Sequence, residues 1–456
     1  MPPIAAQLPS FRDSAAFWFR PLLGLLVISI STGCQKKLQQ PPDHSDTPVP
    51  PTPETPVVPA PPPPLPTIPY KRLDTTRLFS GIQVKTHFQA DIGTTATTER
   101  QDPSSYELDL QLRVRVPKPH QSLSELVKLN PDLPLILPSL QSMVSNGKVS
   151  PLYEELYQRK VANLQTNLNR LDSLLSRHNF FDTETILEME HSETHRKVIL
   201  VQADMDVDTD GSDGDRVATM DGVSSTFQPF TSYKWPKVTK KPNPFLATWE
   251  KRLKDNEKEL SAPNLAASRQ KELKDQQNEL KLELAELKTK SFLVGSADPF
   301  VVLPLPMVSR KGGAPIAQIG DFCVIIHDKR LFPAVVGDAG PSYKSGEASL
   351  RVCREIAAKA SSGMRPESDL KVTYLVFPGT ATNPRVAPNL EQWWTRCDSL
   401  LQELGGYNGE LFFFEDLTKP KYPPAPAVGD PNFIGPAPEF LGPPWPAEAR
   451  GKHETR

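Results

Sequence analysis

Cysteine is scarce: four residues in 456 cannot make a disulfide framework. None stands in a Cys-x-x-Cys or Cys/His spacing that would hold zinc. Long apolar runs are missing too. No stretch reaches the ~18–20 residues of a spanning helix, so no membrane-crossing helix is expected. Neither charge dominates: 52 Lys and Arg meet 54 Asp and Glu, for a formal net charge of -2. That balance excludes a broadly basic nucleic-acid binder.

Proline, by contrast, is abundant and unevenly spread, with 50 residues in all. Residues 41–69 hold 14 prolines in 29 positions, and residues 420–446 hold 10 in 27. Proline lacks a backbone donor and fixes its own φ, so neither stretch builds hydrogen-bonded structure. About 350 residues remain between them, enough for one sizeable core.

Residues 1–34 read as an export signal. Arg12 and Arg20 precede an apolar stretch from Pro21 to Ile30, which runs into Ser31-Thr32-Gly33-Cys34. This ending resembles a bacterial lipobox, in which Cys34 becomes the lipid-modified N-terminus. Ser31 stands where Leu or Val is usual, and Ile30 sits one place early. The proline-rich linker at 35–69 would then be a semi-rigid spacer of about 3.1 Å per residue. The expectation is an exported protein, lipid-anchored to the cell envelope and held off the membrane on a stalk. Outside the cytoplasm, one pair among Cys323, Cys353 and Cys397 could close a disulfide and leave the third free.

Between the proline segments the pattern is mixed. Tyr106, Leu108, Leu110, Leu112, Val114 and Val116 alternate with polar residues, which predicts a half-buried strand. Ser150-Pro151 opens a helix that Leu164, Leu168, Leu171 and Leu175 continue at helical spacing. Residues 70–184 thus form an N-terminal α/β region without an assigned role. Within the following 185–418, residues 245–290 look like an insertion. Two leucine-striped, charge-rich helical arms are broken there at Ser261-Ala262-Pro263, as in a helical hairpin. The other pieces predict short strands at Lys197–Ala203, Phe300–Leu305, Phe322–His327, Leu331–Gly337, Leu370–Phe377 and Glu410–Phe414. A hairpin turns at Asp328-Lys329-Arg330, and a helix follows at about Ala348–Ala360. The fold class is mainly β with α: an α+β small barrel with attached helices and an inserted helical hairpin. The tail, 419–456, is again proline-rich.

Two acidic segments carry the candidate chemistry. Asp204-Met205-Asp206-Val207-Asp208-Thr209-Asp210-Gly211 follows a strand and opens like an EF-hand loop. The twelfth position, which needs a bidentate Glu, is Val217, so an EF-hand is rejected. Another calcium arrangement on Asp206, Asp208 and Asp210, or a carboxylate wall for a cationic ligand, stays open. Asp213 and Asp215 read as a solvated acidic loop. The second segment runs from Gly337-Asp338 through a glycine-containing loop to Gly346-Glu347, with Glu347 expected to open a helix. Two carboxylates at the ends of rigid elements suit glycosidic bond hydrolysis, where one acid protonates the leaving oxygen and one carboxylate activates water.

Gly337-Asp338-Ala339-Gly340-Pro341 with Gly346-Glu347-Ala348-Ser349 resembles the signature of glycoside hydrolase family 75, the chitosanases. The aspartate-rich stretch 204–211, the strand Asp298-Pro299-Phe300-Val301-Val302-Leu303-Pro304 and the late strand Val372–Gly379 are similar to the family's segments in the same order. The likeness spans roughly 185–415, interrupted by the arm. It implies a barrel of the double-psi type and endo-hydrolysis of β-1,4-linked glucosamine with inversion. It also implies Asp338 and Glu347 as the catalytic pair and needs no cofactor. Asp204, Asp206 and Asp208 would bind the amino groups of the polycationic chitosan. Trp393, Trp394, Trp235 and Tyr233 are candidate stacking faces, although core packing accounts for at least half of them. The competing expectation is a non-catalytic, envelope-anchored glycan- or calcium-binding protein that keeps the fold.

Overall fold

The computed structural model describes residues 88–168, 170, 174, 179, 181–217, 226–309 and 314–419. The export signal, Cys34, the 35–69 linker, Leu171, Leu175 and the tail beyond Lys419 lie outside the described residues. Two compact units divide between Glu107 and Leu108. In the first, the described residues form a short helix at Ala96–Glu99, capped by the Thr95 hydroxyl, and a 3-10 turn at Pro103–Ser105.

The second unit is built on one mixed sheet. Its strands are β1 (Lys148–Val149), β2 (Thr183–Glu190), β3 (Lys197–Asp208), β6 (Phe300–Pro304), β7 (Phe322–His327), β8 (Arg330–Gly340), β9 (Glu347–Ser349), β10 (Glu367–Val376) and β11 (Glu410–Leu411). A separate two-stranded ladder joins β4 (Lys234–Pro236) to β5 (Lys290–Phe292). The main order is β1-β2-β3-β10-β7-β8-β6-β9, and β9 also pairs with β3. That last pairing closes six strands into a barrel, which removes the unpaired edges an open sheet would leave. The β3–β9 and β6–β8 ladders are parallel, while β3–β10, β10–β7, β7–β8 and β6–β9 are antiparallel. The expected α+β small barrel is therefore present.

The reason lies in burial on both faces. Val198, Ile199, Leu200 and Val201 in β3, and Val324, Ile325 and Ile326 in β7, are continuous β-branched and leucine runs, all buried. Such runs read as central strands with no solvent face. The β7–β8 hairpin turns through Asp328-Lys329, with Asp328 at φ 51°, a left-handed conformation that suits a tight two-residue turn. The helix Leu390–Glu403 packs on β7 and β8. The helices Leu246–Leu260 and Ala267–Thr289 form the expected hairpin, with a small core of their own around Trp249, Leu284, Leu287 and Phe292.

Four expectations change. Residues 106–116 form no strand; alternation supplies a face, but a ladder also needs a partner strand. The helix opened by Ser150-Pro151 ends at Thr166, short of the leucine stripe's continuation. The boundary at 184/185 is not a structural one. Leu126, Leu140 and Tyr157 share one hydrophobic core with Val201, Phe300 and Phe332, within the unit that starts at Leu108. Finally, Cys323, Cys353 and Cys397 are all buried and unbridged.

Candidate active site

Strand pairing brings the two candidate acids together. Val302 on β6 pairs with Asp338 on β8 and with Glu347 on β9. Register partners on neighbouring strands project to the same face, so the two carboxylates flank Val302 on one side of the sheet. Their Cα atoms stand two strand spacings apart, roughly 9–10 Å if the sheet were flat. A Cβ built on Gly340 would lie 3.0 Å from Val302 Cγ1 and 3.8 Å from Glu347 Oε2. The Glu347 carboxylate therefore leans over Val302 toward the end of β8. Asp338, Ala339, Gly340 and Glu347 are half-buried, so the pair is reachable from the surface.

A β-bulge sets this register. Val301 pairs with Val336, but Val302 pairs with Asp338, leaving Gly337 as the extra residue. Only glycine fits there, because a Cβ would meet Phe300 Cβ and Cγ at 2.6 Å. Asp338 Oδ1 accepts hydrogen bonds from Ser232 N at 2.9 Å, Ser232 Oγ at 2.5 Å and Ala339 N at 2.7 Å. Oδ2 has no protein donor among the described residues. Burial, then the negative charge of Glu347, outweigh the three donors and raise Asp338 to about 6.

Glu347 does not open a helix. It starts β9, and the helix begins at Leu350 with Ser349 as its N-cap. Its environment is set instead by Lys344, whose Nζ lies 3.0 Å from Glu347 Oε2 and 3.4 Å from Asp206 Oδ2. Burial alone would lower the Lys344 ammonium, but Glu347 and Asp206 more than offset it and raise it.

The aspartates of β3 sit at alternate positions on one face, as a strand requires. Asp206 pairs with Glu347 across the parallel ladder, so Asp206, Glu347, Val302 and Asp338 form one transverse row. Asp204 and Asp206 are both buried and both pair with Arg365; its Nη2 is 2.7 Å from Asp206 Oδ1. Asp208 has no cation within ion-pair distance among the described residues, and its Oδ1 accepts from Asp210 N at 2.7 Å. Burial, then Asp210, Glu347 and Asp338, raise Asp208 well above the usual carboxylate range. Asp210 is pushed up to about 8 by burial and by Asp338 and Glu347. Asp206, Asp208 and Asp210 turn to different partners, and no group of three metal-ligating side chains gathers among the described residues.

The remaining candidates are structural. Asp213 is fully buried against Arg216, and Asp215 binds Lys237 and Thr239, so neither belongs to a solvated loop. Arg216 also forks onto Asp298 at 2.8 and 2.9 Å. Tyr233, Trp235 and Trp393 are buried, and Trp394 donates to Leu411 O. A concavity of about 210 Å³, lined by Gln121, Ser122, Gln141 and Lys148 among others, holds none of these carboxylates.

Residues 205–406 match the family model described as fungal chitosanase of glycosyl hydrolase group 75. Over this span the chain is similar to that family. The matched span contains Asp338 and Glu347 together with Ser232, Lys344 and Arg365. It begins within β3, so Asp204 and the helices before it lie outside the match, although Leu126, Leu140 and Tyr157 of those helices share its core. No curated protein matches the chain. Sequence reading missed Ser232, Lys344 and Arg365. Lys344 had a local signal, three residues before Glu347 in the loop joining the two acids. Ser232 and Arg365 had none, since only the fold brings them 106 and 161 positions along the chain to Asp338 and Asp204.

Proposed function

We propose that this domain hydrolyses β-1,4-linked glucosamine within chitosan chains by an inverting two-carboxylate mechanism. The observation that carries the reading is the Asp338–Glu347 pair facing across Val302, with Asp338 held up to about 6. Asp338 is the general acid: its proton rests on Oδ2, the oxygen that no donor among the described residues occupies. As the C1–O bond breaks, the bonding pair goes to the leaving oxygen, which takes this proton. Glu347 is the general base. It removes a proton from the water that attacks C1 from the opposite face, and the new hemiacetal carries inverted configuration. Glu347 then releases its proton to solvent and Asp338 regains one, closing the cycle. Inversion calls for carboxyl groups about 6.5–9.5 Å apart, a separation compatible with two strands flanking a third.

Chitosan suits the charge at this site. Asp208 and Asp210 lie near the pair with no ion-pair partner among the described residues, and cationic amino groups would favour their charged forms. Asp204 and Asp206 act on substrate through the positions of Arg365 and Lys344. Export and lipid attachment at Cys34 complete the proposal, placing the domain at the cell envelope. Metabolic labelling with palmitate, abolished by Cys34→Ser, checks that part.

The test of the enzyme is reducing-end release from chitosan by the purified protein. Asp338→Asn and Glu347→Gln should each lower it by about 10²–10⁴-fold. Proton NMR of the first product should show the α-anomer. Variants as active as the parent, or a β-anomer product, would overturn the assignment.

A further inference from the structure

Residues 106–116 read Tyr-Glu-Leu-Asp-Leu-Gln-Leu-Arg-Val-Arg-Val. They alternate apolar and polar side chains without interruption, yet belong to no strand. Tyr106 is 92% exposed, Leu108 66%, Leu110 41% and Leu112 40%. No backbone N–H or C=O in the stretch finds a partner among the described residues. An alternating apolar segment with open donors and acceptors is a template for another strand.

The charges say which strand. When the segment meets a copy of itself antiparallel about Gln111, Glu107 falls opposite Arg115 and Asp109 opposite Arg113, each twice by symmetry. On the other face Leu110 meets Leu112, Leu108 meets Val114 and Tyr106 meets Val116. Every position faces a compatible one. Shifting the register by two residues leaves half of the ion pairs. Parallel in-register stacking sets Glu107, Asp109, Arg113 and Arg115 each against its own copy, which is repulsive. The acidic half and the basic half are thus ordered for one arrangement, a two-fold antiparallel pair.

We propose that residues 106–116 are a self-pairing strand through which two copies of this chain associate. The two-fold axis passes through the Gln111 pair, the contact is isologous, and each apolar side chain gains a neighbour directly opposite. None of these residues belongs to the carboxylate site, so the proposal stands or falls separately from the hydrolase reading.

Charge exchange tests it. Light scattering coupled to gel filtration should show the purified protein at twice the chain mass at about 100 μM, dissociating on dilution. Glu107→Lys/Asp109→Lys and Arg113→Glu/Arg115→Glu should each run as monomers. An equimolar mixture of the two should recover a 1:1 dimer, because the altered strands complement each other. This rescue separates pairing from any loss of folding. A parent protein that stays monomeric, variants that dimerise like the parent, or a mixture that stays monomeric would each overturn it. So would amide-exchange protection of the segment that is the same at about 1 and 100 μM, since that marks seating on its own chain.

Discussion

Lys344 stands 3.0 Å from Glu347 and three residues before it, so the loop that separates the two acids also supplies the cation that holds one of them. The same ammonium reaches Asp206 at 3.4 Å. One positive charge therefore fixes the positions of two carboxylates in a row that contains a third, Asp338.

Removing that charge should damage catalysis more than folding. Lys344→Met leaves Asp206 with Arg365 but frees Glu347 to turn away from Val302. We expect kcat to fall about 10²-fold, the scale of loss for a reacting group misplaced by about an ångström, with KM changed far less. Lys344→Arg should recover part of the loss. Steady-state kinetics on chitosan measure both; an unchanged kcat in Lys344→Met would remove the positioning role.

With Asp338 as the proposed acid, activity should have an alkaline limit. An acid held at about 6 is increasingly deprotonated above that pH, so its usable fraction falls about tenfold per unit thereafter. The kcat/KM profile should bend downward near pH 6. Were activity instead to rise through pH 6, the roles of the two carboxylates would need to be exchanged; a profile flat from pH 5 to 8 would remove Asp338 from both roles.

Much of this arrangement was legible in sequence, for identifiable reasons. The buried runs of β3, β6 and β7 are continuous and apolar, a pattern few other structures produce, so these strands were readable. Asp338 and Glu347 were singled out by their resemblance to the glycoside hydrolase family 75 signature, since carboxylates beside glycines occur in many loops. What stayed hidden is what register decides. That Val302 lies between the acids, that Gly337 is a bulge and that Arg365 crosses to Asp204 all depend on which strand pairs with which. The segment 106–116 misled in the opposite way, since its alternation is real while no described residue offers it a ladder partner. Glu347 was assigned to a helix because Ala348 onward is helix-prone, but pairing with both Asp206 and Val302 holds it extended.

Asp210 makes the fold sensitive to alkali. A carboxyl raised from an ordinary value near 4 to about 8 prefers its neutral form in the folded state. Its contribution to stability is therefore complete below about pH 4 and is lost as the pH rises through about 8. Asp210→Asn keeps an oxygen for the Gln228 N–H and removes the charge. It should stabilise the protein by about 1–3 kcal/mol at pH 9 and by almost nothing at pH 3.5. Urea unfolding at the two pH values decides; equal effects at both would mean that Asp210 is not the charge responsible.

Gly337 couples packing to the site through a single missing atom. A Cβ there would lie 2.6 Å from Phe300 Cβ and Cγ and 2.8 Å from Cδ2, and Phe300 is fully buried on the neighbouring strand. Neither side can yield without moving β6 or β8, and a shift of either displaces Asp338 from its place beside Val302. Gly337→Ala should cost about 1–3 kcal/mol of stability through overpacking. Activity should fall by more than the folded fraction accounts for, because the bulge itself aims the acid. Phe300→Gly removes both the ring and the Cβ that the new methyl meets. The double variant should therefore regain activity relative to Gly337→Ala, although each single change is harmful. That coupling is read from kcat and from urea midpoints in a double-mutant cycle. Additive losses in both measurements would show that the bulge and the Asp338 geometry are independent.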